Sequence, residues 1–281
     1  MRTKLVPLVL VVLMSSTVFG QFPPLDSPRP IEMRETVWLE ELTWMEVRDL
    51  VRDGTKTIIV STGGMEQNGP YLATGKHNYV LQAICPAIAR KLGNALCAPI
   101  VPFVPEGDIE PPSGMMRYPG SISVTAATYK ALLSDIASSL KQHGFEHIIF
   151  IGDSGGNQDG MKEVASELTR KWAGSKSAVH YIPEFYDYPG LREWAVNAFG
   201  WKEELEDIHD DPASSSMVMV VDPNHVRIKE RQAKGKATIN GISLLPVDKA
   251  VANGKKIVEH RAEITVAAIR NAIASSSTDD H

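Results

Sequence analysis

The residues able to do chemistry gather in three short segments. Glu66, Asn68, Tyr71 and His77 lie in or just after the glycine-rich stretch Thr62-Gly-Gly-Met-Glu-Gln-Asn-Gly-Pro-Tyr-Leu72. Asp153, Ser154 and Asn157 lie in Gly152-Asp-Ser-Gly-Gly-Asn157, and His209 sits in the acidic run Asp207-Ile-His-Asp-Asp211. Carboxylates, imidazoles and a hydroxyl set among glycines are the groups used for proton transfer, metal ligation and nucleophilic attack. Residues so far apart in the chain act together only if the fold brings their loops to one place.

The elements around them supply that convergence. Short runs of β-branched and apolar residues, Thr57–Val60, Leu96–Val101, His147–Ile151 and Ala178–Ile182, read as buried strands. Between them, helical spacing predicts helices over Trp38–Val51, Asn78–Leu92, Thr125–His143, from Asn157 to Trp172 and over Ser214–Val221. Strands that are apolar on both sides and alternate with helices call for a three-layer α/β/α fold with a mostly parallel sheet. In such a sheet ligands bind outside the carboxyl ends of the strands, where the loops holding Glu66 and Asp153 emerge. No internal repeat or interdomain linker interrupts residues 36–274, which read as one domain followed by a polar tail over 275–281.

Composition narrows the function classes. The chain has 281 residues, 43% hydrophobic and 22% charged, which is enough for one domain with a full core. A net charge of −5 without a basic stripe argues against a nucleic-acid partner. Arg2 and Lys4, an apolar run from Leu5 to Met14 and small residues up to Gly20 have the pattern of a cleaved secretory signal, followed by a Pro-rich leader over 21–35. The chain is therefore expected to be exported, periplasmic or extracellular, with no membrane span after cleavage. In an oxidising compartment Cys85 and Cys97 either pair or remain two small buried apolar residues. Glu106, Asp108 and Glu110 read as a solvated acidic cluster in a long loop, His143 and His147 as strand-flanking residues, and Trp38, Trp44, Trp172 and Trp201 as packing anchors.

Gly64-Met-Glu-Gln-Asn-Gly-Pro-Tyr-Leu72 resembles the Glu-Gln-His-Gly-Pro-His-Leu signature of the creatininase family of amidohydrolases. Trp38-Leu-Glu-Glu-Leu42, Tyr118-Pro-Gly-Ser-Ile-Ser123, Gly152-Asp-Ser-Gly-Gly-Asn157 and the segment from Ile208-His209 to Met217 resemble further family motifs in order and spacing. The resemblance implies a two-metal site hydrolysing an amide or lactam, a small-molecule substrate and a homo-oligomer. It carries a metal-ligating role to Glu66 and a proton-transfer role to His209. Other family ligand positions hold Asn68, Tyr71, His77 and Ser154 here, and a family glutamate meets Gly156 or Ser214.

Three readings of this altered site follow. Glu66, His77 and Asp153, with His209 nearby, would make a mixed oxygen and nitrogen set for one Zn²⁺ or Mn²⁺, with Asn157 positioning the carbonyl and His209 passing a proton. Alternatively, Ser154 in its glycine turn acts as a nucleophile with His77 or His209 as base. In the third reading the crevice binds a small solute through Asn68, Tyr71, Asn157 and Glu66 without chemistry. The leading expectation is the first, a metal-dependent hydrolase of a C–N bond.

Overall fold

The computed structural model describes residues 22–202, 204 and 209–278. The expected signal peptide, together with Asp207 and Ile208, lies outside the described residues. From Met33 onward the described residues form one compact unit, and the described residues up to Glu32 belong to another. Part of the expected leader thus belongs to the domain, where Arg34 N–H donates to the Glu46 carboxylate at 2.7 Å.

Four strands make the central sheet: β1 (Thr57–Thr62), β2 (Ala95–Cys97), β3 (His147–Gly152) and β4 (Ala178–Tyr181), all parallel in the order β2-β1-β3-β4. Alternation along β1 and β3 sends Ile58, Val60, Ile148 and Phe150 into one apolar cluster and Ile59, Ile149 and Ile151 into another. The first cluster packs under α1 (Trp44–Arg52), α3 (Ala126–Gln142) and α4 (Gln158–Lys171). The second lies under α2 (Lys76–Leu92), α5 (Tyr188–Phe199), α6 (Pro212–Val221) and α8 (Val247–Thr278). Both faces being covered explains why the strands carry unbroken apolar runs.

Helix starts explain where the structure departs from the expected spans. The first helix begins at Trp44 rather than Trp38, because Thr43 and Glu46 form a reciprocal capping box and Leu39–Glu41 is a separate 3-10 turn. The second begins at Lys76, so Lys76 and His77 ride on the rigid first turn of α2 rather than on the preceding loop. Trp172 and Trp201 are buried as expected, whereas Trp44 is exposed.

Three helices lie where no element was expected: α5, the short α7 (Ile228–Ala233) and α8. A small hairpin, β5 (Thr238–Ile239) with β6 (Ile242–Ser243), precedes α8. The last helix reaches Thr278, so the segment expected as a polar tail from residue 275 begins as helix. It crosses α6 so closely that a Cβ on Gly254 would stand 2.1 Å from the Ser216 carbonyl oxygen. Its buried face mixes Ile257, Ala262, Val266 and Ile269 with Arg261 and Thr265, which breaks the apolar stripe.

Cys85 on α2 and Cys97 at the end of β2 form a disulfide with their Cα atoms 6.2 Å apart, both fully buried. It closes a separation of 12 residues, for which chain-entropy arguments give about 3 kcal/mol of stabilisation. Urea unfolding of the Cys85→Ala/Cys97→Ala variant should therefore show a loss of that size, and reductant should lower the wild-type midpoint while leaving the variant unmoved.

Candidate functional site

The loops leaving β1 and β3 meet over the carboxyl ends of those strands. Asn157 fastens them: its side-chain amide donates to the Thr62 carbonyl (2.9 Å), the Thr62 hydroxyl (2.9 Å) and the Gly63 carbonyl (2.8 Å). Glycine lets the Asn78 and Glu106 side chains close onto the seam. A Cβ on Gly63 would fall 1.9 Å from Asn78 Oδ1, and one on Gly64 would fall 2.2 Å from Glu106 Oε1.

At the centre stands an alternating chain of charges. His77 Nε2 donates to Glu66 Oε1 at 2.6 Å, and His77 Nδ1 donates to Asp153 Oδ2 at 2.8 Å. Asp153 Oδ1 accepts from Tyr188 (2.9 Å) and pairs with Arg261 Nη2 (2.9 Å). Lys76 Nζ lies 3.7 Å from Glu66 Oε1. Burial and Lys76 push His77 toward the neutral form, but its hydrogen bonds to Asp153 and Glu66 outweigh them and raise its pKa. Burial also opposes ionisation of both carboxylates. For Asp153 the charge of Arg261 and the bond to His77 win, and for Glu66 the bond to and charge of His77 win, so both lie below the usual carboxylate range.

Glu106, expected on a solvated surface, is instead only 7% exposed and belongs to this site. Its backbone N–H donates to Ser123 Oγ at 2.9 Å, which turns the side chain inward beside Gly64. Burial first, then the neighbouring Glu66 charge, lift its pKa to about 8, so it carries a proton at neutral pH. The signal that could have found it is Gly156. This position, one of two with Ser214 that meet a family glutamate, has no room for a side chain, because a Cβ there would stand 2.0 Å from the Pro105 carbonyl oxygen.

The other expected residues divide. His209 arrives at the rim with a side chain 39% exposed, donates from Nδ1 to the Gln67 carbonyl (2.9 Å), and turns Nε2 toward Glu66 Oε1 at 3.6 Å. Ser154 is buried, and its hydroxyl faces Glu106 Oε2 at 3.5 Å, while both nitrogens of His77 are taken by carboxylates. A Ser154–His77 nucleophile pair is therefore not formed. Asn68 shapes its own loop by donating to the Glu66 and Ala73 carbonyls. Tyr71 lies under the Arg231 guanidinium, 5.1 Å from its ring centre, and Arg231 pairs with Asp210 beside His209. Asn157, expected to position a carbonyl, spends its N–H groups on the loop seam.

A family model described as creatinine amidohydrolase matches residues 40–269. The chain belongs to the creatininase family. A creatinine amidohydrolase of Pseudomonas putida is 23% identical over 227 residues, covering 78% of this chain and 84% of that protein. A solved creatininase variant complexed with creatine superposes with a TM-score of 0.54 at 21% identity, covering 88% of this chain and 99% of the other. A putative creatinine amidohydrolase from Bacteroides fragilis superposes at 0.51, with 21% identity over 88% of this chain and 96% of its own. These likenesses confirm the expected three-layer α/β/α fold.

Solved creatininases include a manganese form and a zinc–zinc form, and the residues present here do not fit such ions. A ligating imidazole offers a lone pair, yet both His77 nitrogens donate to carboxylates. Both Asp153 oxygens are occupied, and Glu66 Oε1 faces His77, Lys76 and His209. Among the described residues no group of three or more His, Cys, Asp or Glu is arranged to hold a metal. The three residues expected to share Zn²⁺ or Mn²⁺ do meet, but as a hydrogen-bonded chain closed by Arg261.

Two outcomes follow. Arg261→Met strips the buried Asp153 of its counter-ion and should cost roughly 3–5 kcal/mol in denaturant unfolding. Glu106 titrates near 8 when folded against an ordinary 4.5, so its protonated form favours the folded chain. That contribution is complete below 4.5 and is lost as pH rises to about 8. The stability difference between Glu106→Gln and wild type should therefore move in favour of the variant across this interval, measured by urea unfolding at stepped pH.

Proposed function

We propose that this protein is an exported amidohydrolase that cleaves a C–N bond of a small polar amide or lactam in the crevice between the β1 and β3 loops. The observation that carries the reading is the meeting of Glu66, Glu106 and His209 at one place in a chain of the creatininase family. Two carboxyls whose pKa values are driven apart, one ionised and one protonated at neutral pH, are suited to opposite halves of an acid–base reaction.

His209 is the exposed base. Donation from Nδ1 to the Gln67 carbonyl leaves Nε2 to accept a proton. A water hydrogen-bonded to Nε2 from the crevice gives that proton to His209 as its oxygen attacks the substrate carbonyl, and the Glu66 carboxylate, 3.6 Å from Nε2, stabilises the imidazolium. Glu106 then protonates the leaving nitrogen, the C–N bond breaks, and the proton held by His209 returns through solvent to the Glu106 carboxylate. The creatine complex of a relative supports a small, polar, nitrogen-rich ligand. Export is supported by the buried Cys85–Cys97 disulfide, which suits an oxidising compartment. Among the described residues no helix is long and apolar enough to cross a membrane.

A panel of lactams, formamides and linear amides, followed by amine release or ring opening, tests the reaction. Turnover of one substrate class is expected, with His209→Ala and Glu106→Gln each lowering kcat by roughly 10²–10⁴-fold. Saturable binding without turnover across the panel would replace this reading with that of a solute-binding protein. Mass spectrometry of the exported chain should find an N-terminus near Gln21.

A further inference from the structure

The charges of the crevice are supplied by the fold itself. Arg261 is 1% exposed, and its guanidinium is held through Nε and Nη2, while the buried Nη1 has no hydrogen-bond partner among the described residues. Nε and Nη2 donate to the Phe185 carbonyl at 3.0 and 2.7 Å, and the group lies 3.9 Å from the Phe185 ring centre and 4.9 Å from that of Tyr188. From this seat Nη2 holds Asp153 Oδ1 at 2.9 Å. Guanidinium does not deprotonate in proteins and has no lone pair to offer an ion. On the far side of His77, the Lys76 ammonium is 3.7 Å from Glu66 with its side chain only 7% exposed.

We infer that this chain has exchanged the divalent metal charge of its solved relatives for fixed cations, Arg261 and Lys76 on either side of His77, and that its crevice works without a bound metal. Arg261 and Lys76 already face the Asp153 and Glu66 carboxylates, so an added dication would be repelled at short range by both. A separate observation agrees. At Gly156, which with Ser214 is one of two positions the sequence pattern offers for a further family glutamate, there is no space for a side chain, because Pro105 fills that volume. The inference stands on this geometry whether or not the proposed reaction is correct.

The test uses the full chain, exported, folded and purified without chelator. Elemental mass spectrometry should find Zn, Mn, Fe, Co, Ni and Cu well below one ion per chain, and thermal melts should not shift with EDTA or with added Zn²⁺ or Mn²⁺. Near-stoichiometric metal overturns the inference, as does a metal-induced rise in Tm that Glu66→Gln and His77→Ala abolish. Amide hydrolysis that requires Zn²⁺ or Mn²⁺ also overturns it while leaving the proposed reaction intact. A folded, metal-free and metal-indifferent protein that hydrolyses nothing supports the inference and overturns the reaction.

Discussion

Asp153 is a fully buried carboxylate at the end of β3, and the rest of the site is arranged around the need to satisfy it. An isolated carboxylate in an apolar interior is too costly to remain charged. Here it is met from three directions: His77 at the start of α2, Tyr188 at the start of α5, and Arg261 in the middle of α8. These helices cover the same face of the sheet, so one side chain registers three helices against one strand end. Buried ion pairs are weak evidence for stability, since well-packed apolar groups often do as well. Their stronger effect here is positional, because few arrangements of α2, α5 and α8 pair every charge at once.

That registration passes to the chemistry through His77. Held between Asp153 and Glu66, its ring cannot turn, and it fixes the Glu66 carboxylate toward the rim where His209 waits. The Asn157 amide performs the matching task for the backbone by tying the start of α4 to the end of β1. The apolar clusters on the two sheet faces supply the bulk of the driving force. Polar groups at the carboxyl ends of β1 and β3 then decide how the loops sit on that platform.

Much of this was legible in the sequence, and the remainder has identifiable reasons. Continuous β-branched runs at Thr57–Val60 and His147–Ile151 admit little besides buried strands, and the glycine-rich exits that follow them mark the ligand end of a parallel sheet. The meeting of Glu66, His77, Asp153 and His209 followed from that topology and from the family motifs. Their relation to one another did not, because Arg261 was invisible. It sits in a helix whose buried face mixes apolar and polar residues, and periodicity reports apolar stripes only. Glu106 was hidden differently. Its neighbours Asp108 and Glu110 make a segment that looks solvated, and only the space opened by Gly64 and Gly156 lets the first of the three turn inward.

Glu106 also shows why residue types alone do not define a site. A carboxyl absent from one position of a family pattern can be restored from another part of the chain, provided the old position becomes small enough to admit the new segment. Gly156 and the Pro105–Glu106 segment fit that exchange. The restored carboxyl is not equivalent to one facing a metal: burial and the Glu66 charge raise its pKa to about 8 and keep it protonated at neutral pH. Fixed cations and a protonated acid form one consistent set, since each serves a crevice whose charges are settled when the chain folds. Such a site requires no ion to be captured afterwards, and its acid–base chemistry is set by the distances between α2, α8 and the two glycine loops.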